Sequence, residues 1–176
     1  MGEKLEKRLS SLYTGESFAI VMFVILSYLL NIFYPELRLY SLYSFWVSFF
    51  LLEFLLLQGT VYWYVKWKRL KRENTSRTPV HVVRKLKSLE KINIGLIIVS
   101  LAMFGIDFLK WYPSLPLGGL SIAVFIYVFA VLEYINYFYV QLSYDNFSDI
   151  KNLLKSKRLK QSCISKDFRR ISQMKK

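Results

Sequence analysis

The segment SFWVSFFLLEFLLLQGTVYWYV, residues 44–65, decides the fold class, because only one of its residues, Glu53, is charged. The apolar block to which it belongs begins at residue 42. A helix of about 20 apolar residues is long enough to cross the hydrocarbon core of a bilayer. We therefore predict a transmembrane helix at 42–65, which has to accommodate the carboxylate of Glu53.

Three further apolar blocks have the same character, at residues 17–34, 94–112 and 117–143. Together the four blocks contain more apolar surface than one soluble core of this size can bury. The first block is also too long for the apolar part of a cleaved signal peptide, so it should remain as a membrane helix. The sequence predicts an all-α membrane protein with four transmembrane helices in two hairpins.

The distribution of Lys and Arg predicts the orientation in the membrane. Three segments, 1–16, 66–91 and 144–176, contain 3, 10 and 10 of these residues, and the only others are Arg38 and Lys110. Cytoplasmic segments of membrane proteins carry an excess of Lys and Arg. We therefore expect a multi-pass protein of the cell membrane with both termini in the cytoplasm.

This orientation assigns each remaining part of the chain to one side of the membrane. The N-terminal segment 1–16, the basic loop 66–93 and the basic tail 144–176 are expected to be cytoplasmic. The connections 35–41 and 113–116 become outer loops. They are too short to form a binding domain outside the membrane.

The basic loop is expected to form an amphipathic helix at the membrane interface. Thr78 is a suitable N-cap residue, and Pro79 is favoured at the first helical position. Apolar residues then recur among basic ones, at Val82, Val83, Leu86 and Leu89. This pattern favours a helix that lies on lipid and continues into the third span.

The tail has the same amphipathic character and is expected to form two short basic helices with a break near Gln161 and Ser162. The apolar positions are Phe147, Ile150, Leu153 and Leu154 in the first helix and Ile164, Phe168 and Ile171 in the second. Such helices can lie on lipid or on a protein partner, and lipid is the surface that we expect these residues to contact.

The net charge of +13 indicates a negatively charged partner. A basic residue near anionic headgroups contributes about 1 kcal/mol of membrane affinity. Because the basic residues lie beside membrane helices and no nucleic-acid-binding motif accompanies them, we expect anionic lipid at the cytoplasmic face and no nucleic acid. A second copy of the chain or another membrane protein is left open as a further partner.

Polar residues within the spans recur at helical spacing, so that they share faces. The fourth span contains Glu133, Asn136, Tyr137, Gln141 and Tyr144. The third contains Asn93, Ser100 and Asp107, and the first contains Ser27 and Asn31. In the second, the face of Glu53 also includes Trp46, Phe50, Leu57, Thr60 and Tyr64. We predict a four-helix bundle with all four of these faces inward.

Glu53 and Glu133 are expected at matching depths in the membrane. Each precedes the next charged residue of its span's inner end by 12 or 13 positions, which corresponds to about 18–20 Å of helix. A lone ionised carboxylate at the centre of a bilayer costs several kcal/mol. No Lys or Arg lies at that depth, so we expect both acids to be protonated or hydrogen-bonded.

The sequence contains no arrangement typical of an enzyme. Cys163 and His81 are the only residues of their kinds, which rules out an internal disulfide and leaves too few ligands for a zinc site. Two carboxylates alone can serve as general acid and base, but no nucleophile–histidine pair accompanies them. We therefore expect no catalytic residue, no metal and no cofactor.

Two functions follow as expectations. The first is a non-enzymatic accessory, regulatory, stress or immunity component with a basic cytoplasmic face. The alternative is a small oligomeric proton- or cation-coupled transporter or channel that uses Glu53 and Glu133. In either case the candidate site residues are the intramembrane polar ones, namely Glu53, Asp107, Glu133, Asn136, Tyr137 and Gln141.

Overall fold

The computed structural model of the chain describes residues 2–142 and 160–173. Its α-helices are α1 (Gly2–Phe33), α2 (Tyr43–Glu73), α3 (Val80–Trp111), α4 (Leu117–Phe138) and α5 (Cys163–Gln173). Two short 3-10 helices, Pro35–Leu37 and Leu39–Ser41, join α1 to α2. No β-strand occurs within these residues. Helices α1 to α4 are long and apolar enough to cross a membrane, which confirms the predicted fold class.

The bundle has two chemically different ends. The loop end contains the connections 34–42 and 112–116. The basic end contains the start of α1, the end of α2, the start of α3, the end of α4 and α5. Since α1, α2 and α3 have 31 or 32 residues each, each is about 46–48 Å long and exceeds the roughly 30 Å of a hydrocarbon core.

Helix α2 lies at the centre and packs against α1, α3 and α4, whereas α3 and α4 have little contact with each other. Its buried face includes Ser44, Ser48, Leu51, Leu55, Gln58 and Tyr62. The predicted inward face of α2 is therefore wrong for Trp46, Phe50, Leu57 and Tyr64, which are 41–57% exposed, whereas Glu53 and Thr60 of that face are half-buried. Small side chains let membrane helices approach closely, and bulky ones can face lipid.

The contact between α2 and α3 is polar, and it contains the predicted face of α3. Asn93, Ser100 and Asp107 are all fully buried. The side-chain amides of Gln58 and Asn93 donate to each other's carbonyl oxygens at 3.0 Å in both directions. This reciprocal pair satisfies two buried amides that would otherwise be costly.

Asp107 caps the N-terminus of α2 from the neighbouring helix. Its carboxylate accepts hydrogen bonds from the backbone N–H groups of Tyr43 at 3.1 Å and Ser44 at 2.7 Å. Free N–H groups at a helix start favour a negatively charged acceptor. The structure thus gives Asp107 a role in stability at the loop end.

The start of α3 differs from the expectation. Pro79 takes the N-cap position, and α3 begins at Val80 without a side-chain cap. The hydroxyl of Thr78, which the sequence suggested as the cap, instead donates a 2.6 Å hydrogen bond to Asp167. The basic loop helix is continuous with the third span, and Val83 and Leu86 are buried in the protein.

Helix α5 begins where the sequence predicted the break in the tail. The hydroxyl of Ser162 accepts a 3.1 Å hydrogen bond from the backbone of Ser165 and caps the helix. Ile164 and Ile171 are buried, and Phe168 lies 6.1 Å from the ring of Phe138. Their expected contact with lipid is therefore wrong, because α5 packs on α3 and α4.

The other predicted tail helix, around Phe147 and Leu154, lies outside the described residues.

Candidate functional site

A cavity of about 520 Å³ lies at the basic end and is lined by α1, α2, α4 and the start of α5. Its lining residues fall into three layers along the helices. The apolar floor consists of Ala19, Phe23, Leu56 and Phe129. The middle layer consists of Glu16, Trp63, Glu133, Asn136 and Tyr137, and the rim includes Arg8, Lys66, Gln141, Lys160 and Lys166.

Glu16 of α1 is the residue of this site that the sequence reasoning missed. Its Oε1 accepts a 2.8 Å hydrogen bond from the indole N–H of Trp63, and the hydroxyl of Tyr137 lies beside its other oxygen and donates to the carboxylate. The sequence analysis places it in the cytoplasmic N-terminal segment 1–16. Because α1 runs without interruption from Gly2 to Phe33, Glu16 is carried into the bundle.

The fourth-span candidates come together in the same cavity. Glu133, Asn136, Tyr137 and Gln141 all line it, whereas Tyr144 lies outside the described residues. The amide nitrogen of Asn136 donates to Oε2 of Glu133 at 3.3 Å. The Asn136 carbonyl oxygen also accepts from the backbone of Leu142 at 2.8 Å, which holds the turn after α4.

Glu133 lies closer to the basic end than the sequence suggested. Helix α4 ends at Phe138, so Glu133 is about 7 or 8 Å from the end of its helix. The spacing of charged residues predicts about 18–20 Å of helix beyond Glu133. Just beyond the helix end, Val140 forms an antiparallel β-bridge with Gln161. Glu133 therefore lies within reach of the end of the bundle, not at its centre.

Gly59 of α2 allows the α1 and α4 side chains to meet. A Cβ atom at this position would contact the Glu16 carboxylate and would lie 2.6 Å from the Tyr137 hydroxyl oxygen. Glu16 and Glu133 both line the cavity. The cavity therefore places two carboxylates and two aromatic rings, Trp63 and Tyr137, in one layer.

Two of the predicted site residues lie elsewhere. Glu53 does not line the cavity, and both of its carboxylate oxygens are buried without a hydrogen-bond partner in the described structure. Asp107 caps α2 at the loop end, as described above. The carboxylate that accompanies Glu133 is thus Glu16 and not Glu53.

A second polar cluster, the Asp167 network, fixes α5 to the bundle. Oδ2 of Asp167 accepts hydrogen bonds from Tyr62 at 2.9 Å and Thr78 at 2.6 Å, and Lys66 lies 3.8 Å away. The other oxygen, Oδ1, pairs with Arg170 at 3.1 Å. Arg170 also donates to the backbone carbonyl of Thr78 at 2.7 Å. These contacts join α5 to both α2 and the start of α3.

Comparison of the chain with protein family models, with characterised proteins and with solved structures finds no match. The cavity and the Asp167 network are the features of the protein that bear on its function. Within residues 2–142 and 160–173, no group of three or more His, Cys, Asp or Glu side chains is placed to hold a metal ion. The titratable groups that stand out in the cavity are two carboxylates, which are surrounded by apolar and aromatic side chains.

Proposed function

We propose that this protein is a non-enzymatic regulatory component of the cell membrane, in which a small ligand in the cavity controls the position of α5. One observation carries the proposal. Helix α5 contributes Cys163 and Ile164 to the cavity lining, and it is held in place by Asp167, one turn further along. A ligand that touches the first turn of α5 therefore acts on the same rigid element as the Asp167 network.

The coupling requires that the ligand bind one position of α5 better than another, since only a difference in affinity shifts an equilibrium between two states. With α5 docked, a ligand gains contacts with Cys163 and Ile164. With α5 released, it loses them. Ligand binding should therefore stabilise the docked state, and loss of the ligand should free α5 for a different partner.

The basic end fits the cytoplasmic side of the membrane in this proposal. Lys and Arg residues at that end then lie next to the anionic headgroups, where each adds about 1 kcal/mol of attraction. On α5, Lys166 and Arg169 are exposed, whereas the apolar residues Ile164 and Ile171 face the bundle. The exposed basic side of α5 is the surface that lipid or a protein partner would contact.

The second candidate is a proton- or cation-coupled carrier, which the shared cavity of Glu16 and Glu133 favours. A carrier must expose its site to both sides of the membrane in turn. Among the described residues, the cavity lining includes none from the connections 34–42 and 112–116 at the loop end. We therefore prefer the regulatory function, in which access from the basic end suffices.

Proteoliposomes distinguish these two functions. For a regulatory protein, the collapse of an imposed pH gradient should be no faster than in liposomes without protein. A carrier should accelerate the collapse, and Glu133→Gln should abolish the acceleration because an amide cannot carry the proton. Glu53→Gln is the matched control, since Glu53 lies outside the cavity. Flux that depends on Glu133 would replace our proposal by the carrier.

The orientation has its own test. Ser41 and Ser114 are exposed at the loop end. On a Cys163→Ser background, Ser41→Cys and Ser114→Cys should each react with an impermeant thiol reagent in intact cells. Cys163 of the unaltered chain should react only after permeabilisation. Labelling of Cys163 in intact cells would reverse the proposed topology.

A further inference from the structure

We infer that the ligand of the cavity is an amphiphilic organic cation, in which an amine or other onium centre is attached directly to an apolar body. The inference rests on the proposed function, because it names the ligand class for the same cavity. It is carried by the composition of the middle layer and by the order of the three layers.

The middle layer supplies the groups that recognise an organic cation. Carboxylates form strong charge-assisted contacts with ammonium groups, and aromatic faces attract cations through their electron-rich surfaces. Glu16 and Glu133 provide the first kind of group, and Trp63 and Tyr137 provide the second. A bound cation would favour the ionised form of both acids, and a neutral ligand cannot do so.

The acids lack a counter-charge within the described structure. The recorded ion pairs there involve Glu3, Glu73 and Asp167, and neither Glu16 nor Glu133 takes part. The neighbours of the Glu16 carboxylate are the indole of Trp63 and the hydroxyl of Tyr137, which are neutral donors. A bound ammonium group would add the positive charge that these donors do not supply.

The order of the layers selects the type of cation. Phe129 of the floor is one helical turn, about 6 Å, from Glu133 on α4. Phe23 closes the floor from α1, with its ring 6.0 Å from that of Phe129. A ligand that fills the floor must therefore carry its positive charge directly beside its apolar body.

This order disfavours an amine-bearing phospholipid. In such a lipid the phosphate lies between the acyl chains and the ammonium group, so its anionic group would meet the carboxylates and its cationic group would meet the rim at Lys66 and Lys166. A free amphiphilic amine avoids both repulsions. The cavity volume of about 520 Å³ also lies in the range of small-molecule sites, about 300–1,000 Å³.

Cys163 provides a direct readout, because it is the only cysteine in the chain and lines the cavity. The probes are tetraphenylphosphonium and tetraphenylborate, which have nearly the same shape and opposite charges. The protein is placed in phosphatidylglycerol nanodiscs, and the rate of Cys163 alkylation by N-ethylmaleimide is measured with each ion. Ser41→Cys on the Cys163→Ser background reports any general effect of the ions on the membrane.

We expect tetraphenylphosphonium at about ten times its Kd to slow the alkylation of Cys163 about tenfold, since only the unbound fraction reacts. Tetraphenylborate should leave the rate unchanged. Protection should disappear in the Glu16→Gln/Glu133→Gln double variant and persist in Glu53→Gln. The comparison of the two ions on the unaltered protein decides the charge preference even if the double variant does not fold.

Three results would overturn the inference. Equal protection by both ions would show an apolar cavity without charge selectivity. Protection by tetraphenylborate alone would show that the basic rim selects anions, and lack of protection by tetraphenylphosphonium would remove the cation site. If replacing part of the lipid by phosphatidylethanolamine itself slows alkylation, the ligand is an amine lipid and the argument from layer order is wrong. None of these results depends on proton flux, which tests the proposed function separately.

Discussion

The hydroxyl of Tyr62 on α2 donates a 2.9 Å hydrogen bond to the carboxylate of Asp167 on α5, although the two residues are 105 positions apart in the sequence. Both side chains are buried, Tyr62 completely and Asp167 to all but 8%. Asp167 is also the only acidic residue among the described part of the tail, residues 160–173. A single carboxylate thus connects a basic tail to the centre of the bundle.

Asp167→Asn should therefore release α5 while preserving the shape of the side chain. The amide cannot form ion pairs with Lys66 and Arg170, and removing one member of a buried ion pair typically costs about 3–5 kcal/mol. We expect the weaker attachment of α5 to make the alkylation of Cys163 faster, because Cys163 then spends more time away from the cavity. Arg169→Ala, at an exposed position of α5 outside the cavity lining, is the control and should not change the rate. An unchanged rate in Asp167→Asn would show that apolar contacts alone hold α5.

Gly59→Ala should destabilise the protein, and Gly95→Ala should not. A Cβ at Gly59 would collide with Glu16 and Tyr137, whereas a Cβ at Gly95 of α3 meets nothing within 4 Å. Overpacking costs about 1–3 kcal/mol, while alanine is favoured over glycine in a helix by about 1 kcal/mol. Thermal unfolding in detergent should thus show opposite signs for the two variants. Equal stability would mean that the Glu16 side chain moves aside freely.

Asp107→Ala should lower the free energy of unfolding by about 0.5–2 kcal/mol, the usual effect of losing a helix cap. Asp107→Asn should lose less, because the amide oxygen can still accept from one of the two N–H groups. Ser100→Ala is the matched control on the same face of α3. Its hydroxyl is buried without a partner among the described residues, so its removal should be neutral or stabilising. Chemical denaturation in detergent would check the order of the three variants.

The pair of amides between α2 and α3 should show energetic coupling. Gln58→Leu or Asn93→Leu alone leaves the other amide buried without its partner, at a cost of about 1–3 kcal/mol. The double variant removes both polar groups and should lose less than the sum of the single variants. Coupling energies within membranes average about 0.6 kcal/mol, so unfolding must be measured precisely enough to resolve that value. Strict additivity would mean that each freed amide finds another partner.

The sequence predicted the four spans and the buried face of α3 because both depend on simple spacing. About 20 apolar residues have to cross the hydrocarbon core, and Asn93, Ser100 and Asp107 recur every seven positions, so they share one side of α3. The inward face of α2 was predicted wrongly because both of its sides are apolar enough for lipid. The spacing of Ser44, Ser48 and Gln58 was the better guide, since small and hydrogen-bonding residues mark contacts between membrane helices.

The sequence predicted only part of the candidate site. The face of α4 with Glu133 and Asn136 follows from helical periodicity, but Glu16 belongs to a different helix and lies in the segment 1–16 that the sequence assigns to the cytoplasm. The contacts of Asp167 with Tyr62 and Thr78 join parts of the chain that no local pattern relates. Such pairings depend on how whole helices pack, and spacing within one helix carries no information about them.

The position of α5 has a consequence for the biosynthesis of the protein. The four spans can enter the bilayer while the tail is still being translated, because their insertion depends on their own apolar residues. At that stage α5 has not been synthesised, so Cys163 and Ile164 do not yet line the cavity beside Glu16 and Glu133. They take their place only after Asp167 has left the ribosome and bonded to Tyr62. A chain terminated between Phe138 and Asp167 would thus be inserted normally and would lack the part of the cavity lining that α5 supplies.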